Sequence, residues 1–444
     1  MAALWKQQTS LHPSFEPLNR CLESDWFLLP YELKLQAAHA RTLQAAGILS
    51  TTELEAILRA LSQIEAGHGA GLPPVTDAED IHTWIEAELT ERAGDAGRKI
   101  HTARSRNDQV ATLLKLYVVG CGERLLADSK QLAEICCRRA VDWSDVAMPL
   151  MTHQQFAAPG SAGAWVLRFA CASERVCAQA ASAARRWREE CPLGSGAVVG
   201  SSIPLNRGIQ ARELGFDRPS VSALDSTSTR DECVEFLAMA AGAAIHLASL
   251  ATDVIIFSQT PLGWVKFPAD FGTGSSMMPN KMNPDAMELL RGESTAVMGA
   301  HGQALMLLKG LPSGYNRDLQ CIKPLVREAA ENLHGLFELA AAFLEKLEFD
   351  VERLAASMKL GGISATLRME ELVKQGKPLR EAHHAVAAEV QAGKLDAKGT
   401  PADWIASYQT AGSASPNEVR RAAKEILGRV AMFKSSTPRK EPSN

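Results

Sequence analysis

The sequence predicts an all-α chain built around a bundle of long helices. Three observations lead there: apolar seams stepping by four and three through the middle of the chain, stretches of 25–30 residues rich in Ala, Leu, Glu and Arg with no internal proline, and very few runs with the period of two that strands require. From Leu114 the seam passes through Val118, Cys121, Leu125, Leu132 and Ile135 and is broken only at Asp128. Similar stretches cover about 161–190, 231–257, 284–310 and 324–349. Each is longer than the usual globular helix of about 8–20 residues, and such seams belong to helices packed at shallow angles. The uncharged run Phe236–Thr252 spans 17 residues and meets Asp253, which is short for a membrane span and ordinary for a buried helix.

Two helix starts are marked. Asn283-Pro284-Asp285 offers an N-cap, a proline at the first helical position and an acid in the first turn. Lys323-Pro324 is a weaker version of the same signal. The breaks are few. Gly67–Asp77, with Pro73-Pro74, separates an N-terminal helical pair from the rest; Cys191–Arg230 is rich in Gly, Ser and Pro; Gln259–Asn283 reads as a long loop; Ser435–Asn444 reads as a disordered tail. Loops of this length inside a compact helical chain are usually functional.

Composition narrows the function. With 46% apolar and 22% charged residues the chain of 444 is that of a globular protein of two or three domains, which excludes wholesale disorder. Lys+Arg 47 against Asp+Glu 51 gives −4, without the basic excess of nucleic-acid or membrane-surface binders. The nine cysteines are odd in number and show neither a CxxC pair nor zinc spacing, so they read as free thiols in a reducing cytosol. Met1–Lys6 lacks the apolar core of a signal peptide. The expectation is a soluble, cytoplasmic protein with no membrane or nucleic-acid partner.

Several motifs fall away. Gly194-Ser-Gly-Ala-Val-Val-Gly200 lacks the Gly-Lys-Ser/Thr ending of a phosphate loop and no strand precedes it; no Gly-x-Ser-x-Gly elbow exists; His383-His384 has no third ligand near in sequence. Three polar segments beside long helices remain. Gly274–Pro284 combines a glycine, the hydroxyls of Ser275 and Ser276, Lys281 six residues after the first serine, and a helix N-terminus. A lysine and a dipole end beside a serine stabilise its alkoxide, although such a segment alone also reads as a polar loop ending in an Asn cap. Thr152-His153-Gln154-Gln155 lies between a long helix and the Pro159-Gly160 break, where a lone histidine is either structural or reactive. Ser105-Arg106-Asn107-Asp108-Gln109 precedes the first long helix as a capping segment with a spare arginine.

Together these segments resemble the three signature regions of the fumarase/aspartase superfamily, in the wording of its argininosuccinate lyase family. Glu79-Asp-Ile-His82 and Lys99–Gln109 resemble the first region, Thr152-His153-x-Gln155 the second, and Gly274–Pro284 the third; Leu308–Lys323 resembles a segment particular to the argininosuccinate branch. Further likeness at Pro192–Gly196, Asp225–Asp231 and Pro378–His383 extends it over about residues 20–390. The resemblance implies three helical domains, drawn here at 1–104, 105–350 and 351–444, with a central bundle that forms the core of a homotetramer and active sites shared between subunits. It implies cofactor-free and metal-free β-elimination of a small-molecule substrate, argininosuccinate, to arginine and fumarate, in arginine biosynthesis.

The resemblance also assigns roles. Ser275 matches the general base, and His153 a residue that transfers a proton or orients the site; which of the two is formally the base stays open. Each unit by which the serine pKa must fall represents about 1.4 kcal/mol, with Lys281 and nearby amides as the source and Glu288 as a supporting acid. Asn107, Thr152 and Asn283 match residues that hold substrate, Arg106 is a carboxylate fork, and Tyr315, Gln320 and Lys323 match a trio spaced by five and three. The chain departs from the family pattern at Leu35-Gln36 (usually Gly-Ser, the serine touching substrate), Trp5–Thr9, Phe156, Ala158, Met282 and Cys321-Ile322. These departures bear on the non-fumarate half of the substrate. Two other readings follow: a carbon–nitrogen lyase for another N-substituted aspartate, and a non-catalytic structural homologue.

Overall fold

The computed structural model describes residues 11–68, 71–395 and 398–434; Trp5–Thr9 and the segment Ser435–Asn444 lie outside the described residues. The chain is 66% helical. The elements that place the functional residues are α1 (Leu29–Ala45), α2 (Thr51–His68), α3 (Ile81–Ala93), α4 (Arg106–Asp142), the strands β1 (Ala147–Thr152) and β2 (Gln155–Ser161), then α5 (Ala162–Trp187), α6 (Ala223–Ser228), α7 (Asp231–Ser258), the two-residue strands β3 (Thr273–Gly274) and β4 (Met282–Asn283), α8 (Asp285–Leu308), α9 (Ile322–Lys346) and α10 (Pro416–Met432).

The longest helix, α4, starts at a capping box. The Ser105 side chain accepts from the first-turn backbone, and the Asp108 carboxylate receives the Ser105 N–H at 2.9 Å. Its seam residues Leu114, Val118, Cys121, Leu125, Leu132 and Ile135 are all buried. Asp128, which interrupts the seam, accepts from His334 of α9 at 3.0 Å. That contact and the Arg139 Nε bond to the Leu344 carbonyl at 3.0 Å make α9 run alongside α4 in the same direction. α5 returns antiparallel along α4, and its Trp165 reaches Asp253 near the end of α7 at 3.0 Å. So α4, α7 and α9 run one way and α5 and α8 the other, around a single core that also takes Val419, Ala423, Ile426 and Val430 of α10. α7 is long and apolar enough to pass for a membrane span, but its face Phe236, Leu237, Ala240, Ala244, Leu247 and Val254 is packed into this core.

A second core holds α1 to α3 together through Leu29, Leu43, Ile57, Ile81, Trp84 and Ile85. A third, smaller one joins Leu35 and Ala38 of α1 to Leu113 and Leu116 of α4 and to Leu193 and Phe216. The N-terminal helices therefore sit at the end of the bundle where α4 begins.

Two local expectations are corrected, and one element that the sequence did not signal is added. The turn after α4 is an antiparallel hairpin, β1 with β2, because two consecutive left-handed residues let the chain reverse within two positions. The cap of α8 is Pro284, not Asn283: pairing of β3 with β4 draws Asn283 into extended backbone, and the Asp285 carboxylate ties the strand back by accepting the Thr273 N–H at 2.8 Å and hydroxyl at 2.6 Å. α9 begins at Ile322, one residue before Lys323-Pro324, continuing a 3-10 turn over Arg317–Cys321. Cys191–Arg230 also contains two short helices, Arg207–Glu213 and α6, too brief for apolar periodicity to disclose.

Candidate active site

The expected site residues fall into two groups at opposite ends of the bundle. At the end where α4 begins, Arg106 donates to the Gln109 side chain at 3.3 Å and the Thr83 hydroxyl at 3.4 Å, and lies 3.7 Å from both Asp80 and Glu86. The Asn107 amide donates to the Ala197 carbonyl at 3.3 Å. Beside them, Lys323 is 1% exposed and its Nζ donates to Asp25 Oδ2 at 2.6 Å. The Gln320 amide reaches both Asp25 oxygens at 3.4 Å, and the Cys21 thiol donates to Oδ2 at 3.3 Å. Tyr315 is half-buried; burial pushes its phenol up, while Lys323 and Arg317 nearby pull it down. The segment Glu79-Asp80 joins the two clusters, since Glu79 pairs with Arg317 at 3.0 Å and Asp80 with Arg106. Arg106, Asn107, Tyr315, Gln320 and Lys323 thus share one end of one chain.

Asp25 is the residue that sequence reasoning missed. Its signal is slight: one acid directly before the apolar run Trp26-Phe27-Leu28-Leu29. The structure also settles where Gln36 lies. It is fully buried, and its amide donates to Glu32 Oε1 at 2.6 Å, where Gln109 donates at 2.5 Å while His82 meets the other oxygen at 3.0 Å. Burial pushes the Glu32 carboxyl up, and these donors with Arg104 oppose the shift. Gln36 is therefore an interior residue whose amide N–H is held by Glu32 while its Oε1 is buried without a hydrogen-bond partner among the described residues. Phe156 is absorbed by packing, stacked on Trp264 at 5.6 Å between ring centres.

The other group sits at the hairpin end. Thr152 and His153 are exposed at the tip, and His153 and Gln154 have φ of +54° and +59°. Non-glycine residues in this region carry about 1–2 kcal/mol each of unfavourable sterics, and such strain clusters at functional sites. At the same end β3 and β4 close the foot of the serine loop. The Ser275 hydroxyl oxygen accepts the N–H groups of Met277 at 3.3 Å and Met278 at 3.0 Å. Two amides aimed at one oxygen favour negative charge on it. Lys281 is exposed on the same loop, Asn283 pairs with Thr273 in the β3–β4 ladder, and Glu288 is exposed in the first turn of α8.

The two groups do not meet within one chain. From Asn107 to Asp142 along α4 the rise of 1.5 Å per residue separates them by about 50 Å.

The cap carboxylate Asp108 carries a pH-dependent term. Burial pushes its carboxyl up from 3.8 to about 6 against the pull of its backbone donors and Arg104. A raised folded value contributes stability that is complete below 3.8 and is lost as pH rises through about 6. At about 1.4 kcal/mol per unit this amounts to about 3 kcal/mol. Thermal unfolding of wild type and Asp108→Asn between pH 4 and 8 is expected to converge at neither end equally: the variant gains relative to wild type as pH rises through 6. A pH-independent difference would remove this assignment.

A family model described as a lyase matches residues 7–299. Argininosuccinate lyase of Acidobacterium capsulatum is 38% identical over 390 residues, covering 86% of this chain and 80% of the relative. That of Koribacter versatilis is 36% identical over 442 residues and covers 94% of both. Among solved structures, EDDS lyase in complex with formate superposes with a TM-score of 0.82 at 21% identity, covering 96% of this chain and 91% of that one. At that identity the likeness shows a common fold.

Proposed function

The chain belongs to the lyase family of the fumarase/aspartase superfamily, and on that premise we propose that it cleaves argininosuccinate to arginine and fumarate by β-elimination, as a carbon–nitrogen lyase of arginine biosynthesis in the cytoplasm. The substrate rests on the relatives; the chemistry rests on one observation above all, the Ser275 oxygen receiving two backbone N–H groups on an exposed loop.

The difficult step is removal of a weakly acidic proton from carbon next to a carboxylate. Ser275, its oxygen favoured as an anion by the Met277 and Met278 amides and by Lys281, takes that proton. Negative charge gathers on the adjacent carboxylate, where Asn107, Thr152 and Asn283 are placed as donors and Arg106 as a cation. The bond from carbon to the guanidino nitrogen then breaks, the electron pair leaves with nitrogen, and nitrogen takes up a proton. His153 orients or supplies that transfer, with Glu288 as the acid behind the loop. The amino-acid head of the substrate carries an ammonium beside a carboxylate. Asp25 with Lys323, Gln320 and Tyr315 offers the complementary pair.

The separation of about 50 Å along α4 supports the reading, implied by the family resemblance, in which the serine loop and the His153 tip meet Asn107 and Lys323 of other copies in a homotetramer of three-domain chains. Exposed apolar side chains on α7 and α8, Ile245, Leu289, Leu305 and Met306, are available to bury in it. Fumarate release, followed by absorbance with argininosuccinate and a panel of other N-substituted aspartates, tests the reading. Argininosuccinate is expected to have the highest kcat/KM, and no release from folded protein would overturn it.

A further inference from the structure

The Gly194–Gly200 loop has no part in the chemistry above, yet its base is held from two sides. Asp108 is fully buried, and its Oδ2 accepts the N–H groups of Gly194 and Gly196, each at 2.9 Å, while Oδ1 accepts that of Ser105. From the other side the Arg207 Nε donates to the Leu193 carbonyl at 3.0 Å, and its Nη2 donates to the Ser195 hydroxyl at 3.0 Å. Gly196 has φ of +60°, and a Cβ there would lie 2.5 Å from the Gly200 carbonyl oxygen, so the turn admits no side chain. The Gly200 N–H closes it onto the Ser195 carbonyl at 2.8 Å.

This base holds out Ala197-Val198-Val199, with Ala197 and Val199 exposed and Val198 half-buried. The Ala197 carbonyl accepts the Asn107 amide at 3.3 Å. Val198 lies across from Gly314, where a Cβ would sit 3.6 Å from Val198 Cγ1. Gly314, directly before Tyr315, is itself fixed by its N–H to the Ser228 hydroxyl at 2.8 Å. The apex therefore spans the gap between Asn107 and the Tyr315–Gln320–Lys323 cluster.

We propose that this loop is a specificity-determining wall of the substrate site, its apolar apex lying along the aliphatic stem of the amino-acid half of the substrate, and that Asp108 is the positioning residue that sets its register. The inference rests on the β-elimination reading. Polar ends bound at Asn107 and at Lys323 leave a run of methylenes between them, and an apolar wall there excludes water from that run. Asparagine at 108 would present one acceptor and turn an N–H₂ toward the glycine amides, releasing the loop.

Val198→Asp, Val198→Ile and Asp108→Asn, assayed for fumarate release and by calorimetric binding of argininosuccinate, test it. Val198→Asp is half-exposed at an apex, so folding is kept; KM and Kd are expected to rise at least about tenfold with kcat within about threefold, the pattern of lost uniform binding. Val198→Ile should stay near wild type, and Asp108→Asn should move in the direction of Val198→Asp. A KM within about twofold of wild type for Val198→Asp overturns the wall, as does a fall in kcat alone. Binding without fumarate release in the wild type overturns the elimination reading only, and the Kd ratio then decides the wall. A wild type that neither binds nor cleaves argininosuccinate overturns both.

Discussion

Ser275→Ala is expected to lower kcat by at least about a hundredfold, the lower edge of what general base catalysis contributes, while leaving the unfolding midpoint in place. The residue is half-exposed, and among the described residues its hydroxyl hydrogen-bonds the amides of its own loop, Met277 and Met278. No core packing is lost with the hydroxyl, so a folded protein of near-normal stability should be nearly inert. Pre-steady-state and steady-state fumarate release measured together distinguish a chemical defect from slow product release. A loss of less than about tenfold would take this hydroxyl out of the reaction, because removing a positioned proton acceptor costs more than that.

The second large effect is at Lys323. Its ammonium and the Asp25 carboxylate are each about 1% exposed and 2.6 Å apart, linking positions 298 residues distant in the chain. Lys323→Met leaves a carboxylate buried without its cation, and breaking such a pair costs about 3–5 kcal/mol. The expected result is a marked fall in denaturant midpoint together with loss of kcat/KM. Replacing both partners, as in Asp25→Leu with Lys323→Met, should recover most of the stability, since an apolar pair of similar volume removes the desolvation cost as well as the attraction. Activity should not return with it. Recovery of both would make the pair purely structural, and the proposed recognition of the amino-acid head would fall.

These two sites differ in how far the sequence disclosed them. The serine loop stands out as a candidate because its parts are local: Ser275, Lys281 and the start of α8 lie within a few residues of one another, while the role of its hydroxyl came from the family resemblance and remains a proposal. The bundle could be read for the same reason, as the seam from Leu114 to Ile135 is a property of one helix and is buried as its periodicity requires. Asp25 could not, because its partners come from the far end of the chain and a single acid before an apolar run has no pattern. The hairpin was hidden because its strands, Ala147–Thr152 and Gln155–Ser161, lack β-branched alternation and carry Pro149 and Pro159, and because its turn is built from His153 and Gln154 where glycine or asparagine is the ordinary signal. At Asn283 the local capping signal was genuine but lost to strand pairing with Thr273. Gln36 shows the converse, a departure from the family pattern that sits in the interior with Glu32.

The length of α4 has a practical consequence for the working protein. Under the proposed sharing of sites between copies, with the serine loop at one extremity and Lys323 at the other, a lone copy would hold two unfinished halves and turnover would become a property of the population. Specific activity should fall on dilution before any helix melts, and a damaged loop on one copy would silence a pocket belonging to its neighbours.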